Sequence, residues 1–479
     1  MGHSLITTNW VQKLCSRALC KQALCAVLVL LLCLPAPIAH AFWEFTVKDE
    51  AELGKKFNIL VKSQLPLVQD PEITAYIDDL VARLAKTMPA QPFPFTASVV
   101  RHNAVNAFAT PGGYVFVFTG LILAMSHEAE LAGVLAHEMA HVTQRHIASR
   151  IQQGRVVSIL SIVGALAGAF MGGEGGSAAM AGSMAAGQAA MLSYSRADEN
   201  EADQVGMNYL TKAGFNPQGM GGAFKVLGRK QIMMGSKIPS YYSTHPDIHQ
   251  RTDNMAQRVA RLPEGQRKKP DNDARFLRIQ TLVRGRYSDP DMAERAFANQ
   301  LEKGPNALAL MGQGILWSRL NRINDATTAF AKAMELAPKN ELIIREAGRF
   351  HYTKGNRDQG VALLRRAVEM DSNDIMARYY LARVQGDEGK LNEAIANTRL
   401  VLRAVPEDVE LHEMLARLHG QNNQMFLAYL HMAYAALYSN NKIKTAQLYE
   451  KLNGMPRQAE EKNQLERFQT SYKERREFW

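Results

Sequence analysis

His137 and His141 stand four residues apart in the run His137-Glu-Met-Ala-His141. On an α-helix this spacing places both imidazoles on one face, one above the other. Two neutral imidazoles converging on a point make half of a tetrahedral zinc site. Glu138 projects beside that point, where it can take a proton from a water polarised by the ion. Leu131, Val134 and Leu135 supply helical apolar spacing, and no Gly or Pro follows Gly133 until Gly154. The competing reading is a solvated helix face with an ordinary Glu and two His.

A third protein ligand is needed, and a carboxylate on a second helix would provide it. Residues 195–203 read Ser-Arg-Ala-Asp-Glu-Asn-Glu-Ala-Asp. Glu199 and Asp203 are four apart and share a helix face. Glu199 is assigned as the ligand. Asp203 is expected to hydrogen-bond a ligand imidazole and fix its tautomer. Glu201 lies about 200° round the helix from Glu199 and should point away as a solvated charge.

The elements that must position these groups come earlier in the chain. Asp70-Pro71 reads as a helix N-cap and first-turn proline. Ile73, Tyr76, Ile77, Leu80, Val81 and Leu84 then form a helical core stripe to about Met88. Residues 93–101 read as a strand. Pro111-Gly112-Gly113 is a turn between two further short strands. Tyr114, Phe116 and Phe118 alternate, which places them on one face of a strand. This hairpin is the candidate edge for a substrate bound as an added strand, with those three aromatics as substrate-binding residues. A merely structural hairpin is the alternative. Residues 156–191 are apolar and then rich in Gly, Ala, Met and Ser. Helices packed on the core, a flap over the site, or contact with a membrane surface all fit that composition.

The H-E-M-A-H helix, the E-N-E-A-D helix and the N-A-F-A-T-P-G-G hairpin together resemble the HtpX and CAAX-prenyl-protease family of gluzincin metallopeptidases. The resemblance implies one Zn2+ per chain held by His137, His141 and Glu199. It also implies Glu138 as the base in peptide hydrolysis. Residues 243–251, Ser-Thr-His-Pro-Asp-Ile-His-Gln-Arg, are similar to the family's S-x-H-P-x-x-x-R segment. Carried over, His245 faces the zinc as a catalytic group. It would either donate to the transition-state oxyanion or cap the metal at rest. Arg251 would support the same site, and His249 is a bystander.

Four cysteines, at 15, 20, 25 and 33, all lie in the first 41 residues. Beyond them a Cys nucleophile, a Cys zinc site and a disulfide are excluded. Residues 1–41 read as a secretory signal: Lys13, Arg17 and Lys21, then the apolar run 26–34, then Ala39-His40-Ala41 before Phe42. Cleavage after Ala41 and a periplasmic location are expected. The net charge of +10 loses 3 with that segment, leaving +7. Mild basicity suits acidic partners or an anionic lipid surface, and no nucleic-acid signature accompanies it.

Residues 263–273 read as a linker. Beyond it, Ala326, Gly360, Ala394 and Ala428 recur every 34 residues, as do Ala333, Ala367, Val401 and Ala435. Pro338 and Pro406 mark helix ends, and Gly355 and Gly389 mark turns. The array resembles the tetratricopeptide repeat, with about four copies and Pro456–Trp479 as a cap. The expected fold is therefore α+β but mainly α. A gluzincin domain with a small edge sheet occupies 42–262, and an all-α solenoid occupies 274–479. Such solenoids bind protein segments in a concave groove. A secreted zinc protease joined to one is similar to the β-barrel assembly-enhancing proteases of Gram-negative bacteria. That resemblance implies unfolded or misassembled outer-membrane proteins as substrates. It further implies contact with the outer-membrane assembly machinery through the repeats and some association with the outer membrane. A repeat-based chaperone or adaptor with a silenced protease domain is the alternative.

Overall fold

The computed structural model describes residues 45–152, 194–234, 241, 245–456, 458–477 and 479. The expected signal segment and the stretch 156–191 lie outside the described residues. Among the described residues, no helix is long and apolar enough to cross a membrane.

The chain enters through α1 (Val47–Gln64) and α2 (Pro71–Ala85). Asp70 caps α2 as its sequence predicts, accepting the backbone N–H groups of Glu72 and Ile73. The apolar stripe of α2 is buried throughout. Three strands follow, β1 (Thr96–Val100), β2 (Ala107–Thr110) and β3 (Tyr114–Phe118), in the order β1-β3-β2. β1 runs parallel to β3 and β2 antiparallel to it. Next come α3 (Thr119–Ala124), α4 (Glu128–Thr143) and α5 (His146–Gln152). The set is completed by α6 (Arg196–Lys212), α7 (Gln218–Met234) and α8 (Ile248–Ala260).

The hairpin differs from expectation in one respect. β3 is the central strand, so it is β1 and β2 that lie at the edges. Phe116 and Phe118 are fully buried in a cluster with Phe57, Leu60, Val61 and Leu65, and Tyr114 packs half-buried against it. The aromatic face is covered by α1 and cannot receive a substrate. Alternation identifies a face but says nothing of what covers it. The substrate-binding assignment of Tyr114, Phe116 and Phe118 is therefore withdrawn; they are core.

The repeat half follows the predicted register. After α9 (Ala274–Tyr287) and α10 (Pro290–Leu301), helix pairs begin at 34-residue intervals. The first members are α11 (Ala307–Arg319), α13 (Glu341–Lys354), α15 (Ile375–Asp387) and α17 (Val409–Gln421). The second members are α12 (Ile323–Leu336), α14 (Arg357–Met370), α16 (Leu391–Ala404) and α18 (Met425–Tyr438). The small residues at 326, 360, 394 and 428 are all buried. At Gly360 a Cβ would stand 2.2 Å from the Tyr352 backbone nitrogen, so any larger residue would push the two helices apart. α19 (Lys442–Asn453) and α20 (Ala459–Arg476) close the array, burying Leu465, Phe468 and Tyr472.

The two halves are not separated by a linker. From Phe45 onward the chain is one compact unit. Residues 263–273 contain a helical turn at Glu264–Arg267, and Asp273 accepts the Glu128 N–H at 2.8 Å. One apolar core runs from Ile73 and Leu135 through Phe276 and Ile279 to Phe330 and Phe350. Beside it lies a buried ionic network. Arg345, fully buried, pairs with Asp374 at 2.7 Å and with Glu72 of α2. Arg278 binds Glu72 at 2.6 Å, and Arg286 binds Asp70 and Glu346. The far end of the array also returns to α1, through Lys62–Glu407 at 3.2 Å and Lys55–Glu474 at 2.5 Å.

Two predictions follow from this packing. Arg345→Ala leaves Glu72, Glu346 and Asp374 without their shared cation and should cost about 3–5 kcal/mol in urea unfolding; a loss under about 1 kcal/mol would contradict the network's role. The second concerns His412, His419 and His431, which are packed between α17 and α18 with His412 Nδ1 2.9 Å from His431 Nδ1. Burial holds His412 at about 4 and lowers His419 and His431, the latter also pressed by its neighbouring imidazoles. Unfolded, each would bind a proton near 6.5. Stability should therefore be full above pH 6.5 and fall as pH drops toward 4. His412→Gln should flatten that fall in melting temperature, and an unchanged slope would refute it.

Candidate metal centre

α4 lies in the middle of the core, with every residue from Glu128 to Val142 buried. This excludes a solvated helix face. His137 and His141 are fully buried, with their Nε2 atoms 3.0 Å apart. α6 crosses α4 closely because position 206 is Gly; a Cβ there would stand 3.0 Å from Ala136 O and from His137 N. That close approach carries Glu199 and Asp203 to the imidazoles. Ser195 starts α6 with a capping box, its hydroxyl accepting the Asp198 N–H.

Glu199 Oε2 lies 3.5 Å from His137 Nε2, and Oε1 lies 3.6 Å from His141 Nε2. His245 Nδ1 is 2.8 Å from Glu199 Oε1 and 3.4 Å from His137 Nε2. The donor atoms of His137, His141, Glu199 and His245 all lie within 4.8 Å of one another. Tetrahedral zinc with bonds of about 2.0–2.1 Å places its donors roughly 3.3 Å apart, and this set matches. One divalent cation satisfies all four lone pairs at once, so the residues fit the ion.

The surrounding contacts hold each donor in place. His137 Nδ1 is 3.0 Å from Asp203 Oδ1. Arg251, one turn into α8, binds Asp203 at 2.8 and 2.9 Å, pairs with Glu199, and lies over the Phe224 ring at 4.4 Å. Burial and Arg251 both disfavour a charged His137. Asp203 and Glu199 outweigh them and raise it to about 9. Burial and the neighbouring imidazoles push His141 far down, which keeps it neutral as a metal ligand must be. Burial would raise the Glu199 carboxyl, but His245 and His137 hold it well below the usual carboxylate range.

Glu138 is buried beside the donors. Among the described residues its Oε1 makes no hydrogen bond, and it lies 3.4 Å from His245 Nε2. His249 is exposed and takes no part. Four features were not read from the sequence: Gly206, His146, and two tyrosines. Tyr194 stacks on His141 at 3.7 Å and Tyr241 on His245 at 4.1 Å. Neither ring lies in a motif, so only the fold brings them in. His146 follows His141 by five residues, a spacing with no fixed helical meaning.

Residues 69–259 match the model of peptidase family M48. This part of the chain is similar to peptidases of that family. Its ligand helices α4 and α6 both lie inside the matched span. The chain is 32% identical over 305 residues to a Vibrio cholerae protein of the beta-barrel assembly-enhancing protease group, covering 62% of this chain and 63% of that one. It is 26% identical over 345 residues to the beta-barrel assembly-enhancing protease of Escherichia coli, covering 69% of each. It is 30% identical over 200 residues to the mitochondrial metalloendopeptidase OMA1 of Schizosaccharomyces pombe, covering 42% of this chain and 56% of that one. The match to the Vibrio cholerae relative thus spans less than two thirds of that protein's length.

Asp203→Asn removes the charge that orients His137. Zinc affinity, read by competition with a chromophoric chelator, should weaken about 10–100-fold. Affinity equal to the parent's would show that Asp203 does not tune the ligand.

Proposed function

We propose that this chain is a zinc-dependent endopeptidase. The observation that carries the proposal is the convergence of His137, His141 and Glu199 beside the buried carboxylate of Glu138, whose Oε1 makes no hydrogen bond among the described residues and lies 3.4 Å from His245 Nε2. Zinc bound there supplies a Lewis acid for a water and a peptide carbonyl. Glu138 accepts the proton of the attacking water and later delivers it to the leaving amine. Arg251 and Asp203 hold Glu199 and His137 in position and keep their charges balanced in a site closed to solvent. Of the two hairpin strands the edge one is β2 rather than β3, and β2 packs on α4. An extended substrate paired with β2 would be read through its backbone.

The relatives' names and the fused repeat array support a role in outer-membrane protein quality control. In this reading the chain works in the periplasm and cleaves stalled or misfolded β-barrel proteins. Its array engages the outer-membrane assembly machinery, and peripheral membrane contact is part of the same picture. A chaperone or adaptor role is favoured by one observation: His245 fills the fourth donor position, and catalytic zinc sites keep a position open. His245 capping the centre at rest reconciles the two readings.

Glu138→Gln should retain one zinc per chain and lose casein cleavage by a factor of about 10³ or more; cleavage at the parent's rate would sink the assignment. His245→Ala separates the two roles of that residue. If His245 caps the centre at rest, casein cleavage should rise. A fall in turnover with zinc retained would instead identify it as the oxyanion donor.

A further inference from the structure

The two histidine ligands are oriented in different ways. His137 turns its Nδ1 directly onto a buried carboxylate, Asp203, at 3.0 Å. His141 has no carboxylate there. Its Nδ1 lies 2.9 Å from Nδ1 of His146. His146 is 5% exposed, and its Nε2 lies 3.3 Å from Glu201 Oε2 on α6. Glu201, expected as a purely solvated charge, is 54% exposed yet reaches this ring.

The tautomers follow from the geometry. His141 faces the other donors through Nε2, so its proton sits on Nδ1 when it is neutral. That N–H donates to His146 Nδ1. His146 must then carry its own proton on Nε2, which donates to the Glu201 carboxylate. Donors and acceptors alternate without conflict from the buried centre to the solvent.

The backbone is built to place His146. α4 ends at Thr143, and α5 begins at His146. Between them Arg145 takes φ 55°, a left-handed conformation that is unfavourable for a residue with a Cβ. This turn folds the chain back so that His146 meets His141. Arg145 is anchored there by Glu50 of α1 at 2.9 Å and by Phe45 O at 3.1 Å. Tyr194 closes the remaining face of His141 by stacking.

We propose that His146 and Glu201 form a two-step hydrogen-bond relay that fixes the tautomer and ring orientation of His141, the role Asp203 fills alone for His137. His146 is thus a positioning residue, and this inference rests on the zinc reading of the centre. The test uses the full chain, with zinc affinity measured by chelator competition and the melting temperature of the metal-free protein measured beside it. His146→Leu should weaken zinc binding about 10–100-fold with the metal-free melting temperature unchanged. His146→Gln keeps an acceptor oxygen and should recover most of the affinity. Glu201→Ala, at an exposed position, should give a smaller loss in the same direction. The proposal is overturned if His146→Leu binds zinc within about twofold of the parent. It is equally overturned if His146→Gln is as weak as His146→Leu, which would mark ring packing rather than hydrogen bonding. If the parent itself binds no zinc, the reading of the centre fails instead.

Discussion

Three imidazoles and a carboxylate buried within 4.8 Å of each other set the terms for everything else in the protease half. Buried ionisable groups are costly unless each has a partner. Here every donor has one: Asp203 for His137, His146 for His141, Arg251 for Glu199, and the Tyr241 ring against His245. Those partners come from α5, α6 and α8 and from the stretch before α8. The helices can only cross where side chains are small, and Gly206 against Ala136 is such a crossing. The demand for partners at the centre thus explains the packing around it.

The second organising feature is the joint between protease and repeats. The repeat array is not a separate module. Here its first helices complete the protease core, and Arg345, Arg286 and Arg278 stitch α2 to the array through buried carboxylates. Gln280 of α9 also caps α3, donating to Ile122 O and Met125 O. The array is consequently held at a fixed distance from the metal centre, without linker entropy to average over.

The ends of the array behave differently from its middle. α20 packs its aromatic residues on α18 and α19 and returns to α1 directly through Glu474 and Lys55, and by way of Arg475 and Glu407 to Lys62. The array is therefore closed onto the protease at both ends. The histidine cluster between α17 and α18 lies close in sequence to Glu407, which joins Lys62 and Arg475.

The sequence by itself determined the local chemistry. The i, i+4 pair His137 and His141, the Glu199 and Asp203 pair, the capped helix starts and the 34-residue period are all short-range patterns. Helix geometry converts each of them into position without reference to the rest of the chain. The segment around His245 and Arg251 was legible only as a motif. Its partners lie some 50 to 110 residues away, and no local rule places them. Tertiary structure alone decided what covers each face and what meets across distance. It buried Phe116 and Phe118 under α1, put β2 rather than β3 at an edge of the sheet, and joined the repeat helices to the protease core across an apparent linker. It also set His146 behind His141 through a left-handed turn at Arg145. Periodicity names the face of an element, while the identity of its neighbour depends on packing between segments remote in the chain.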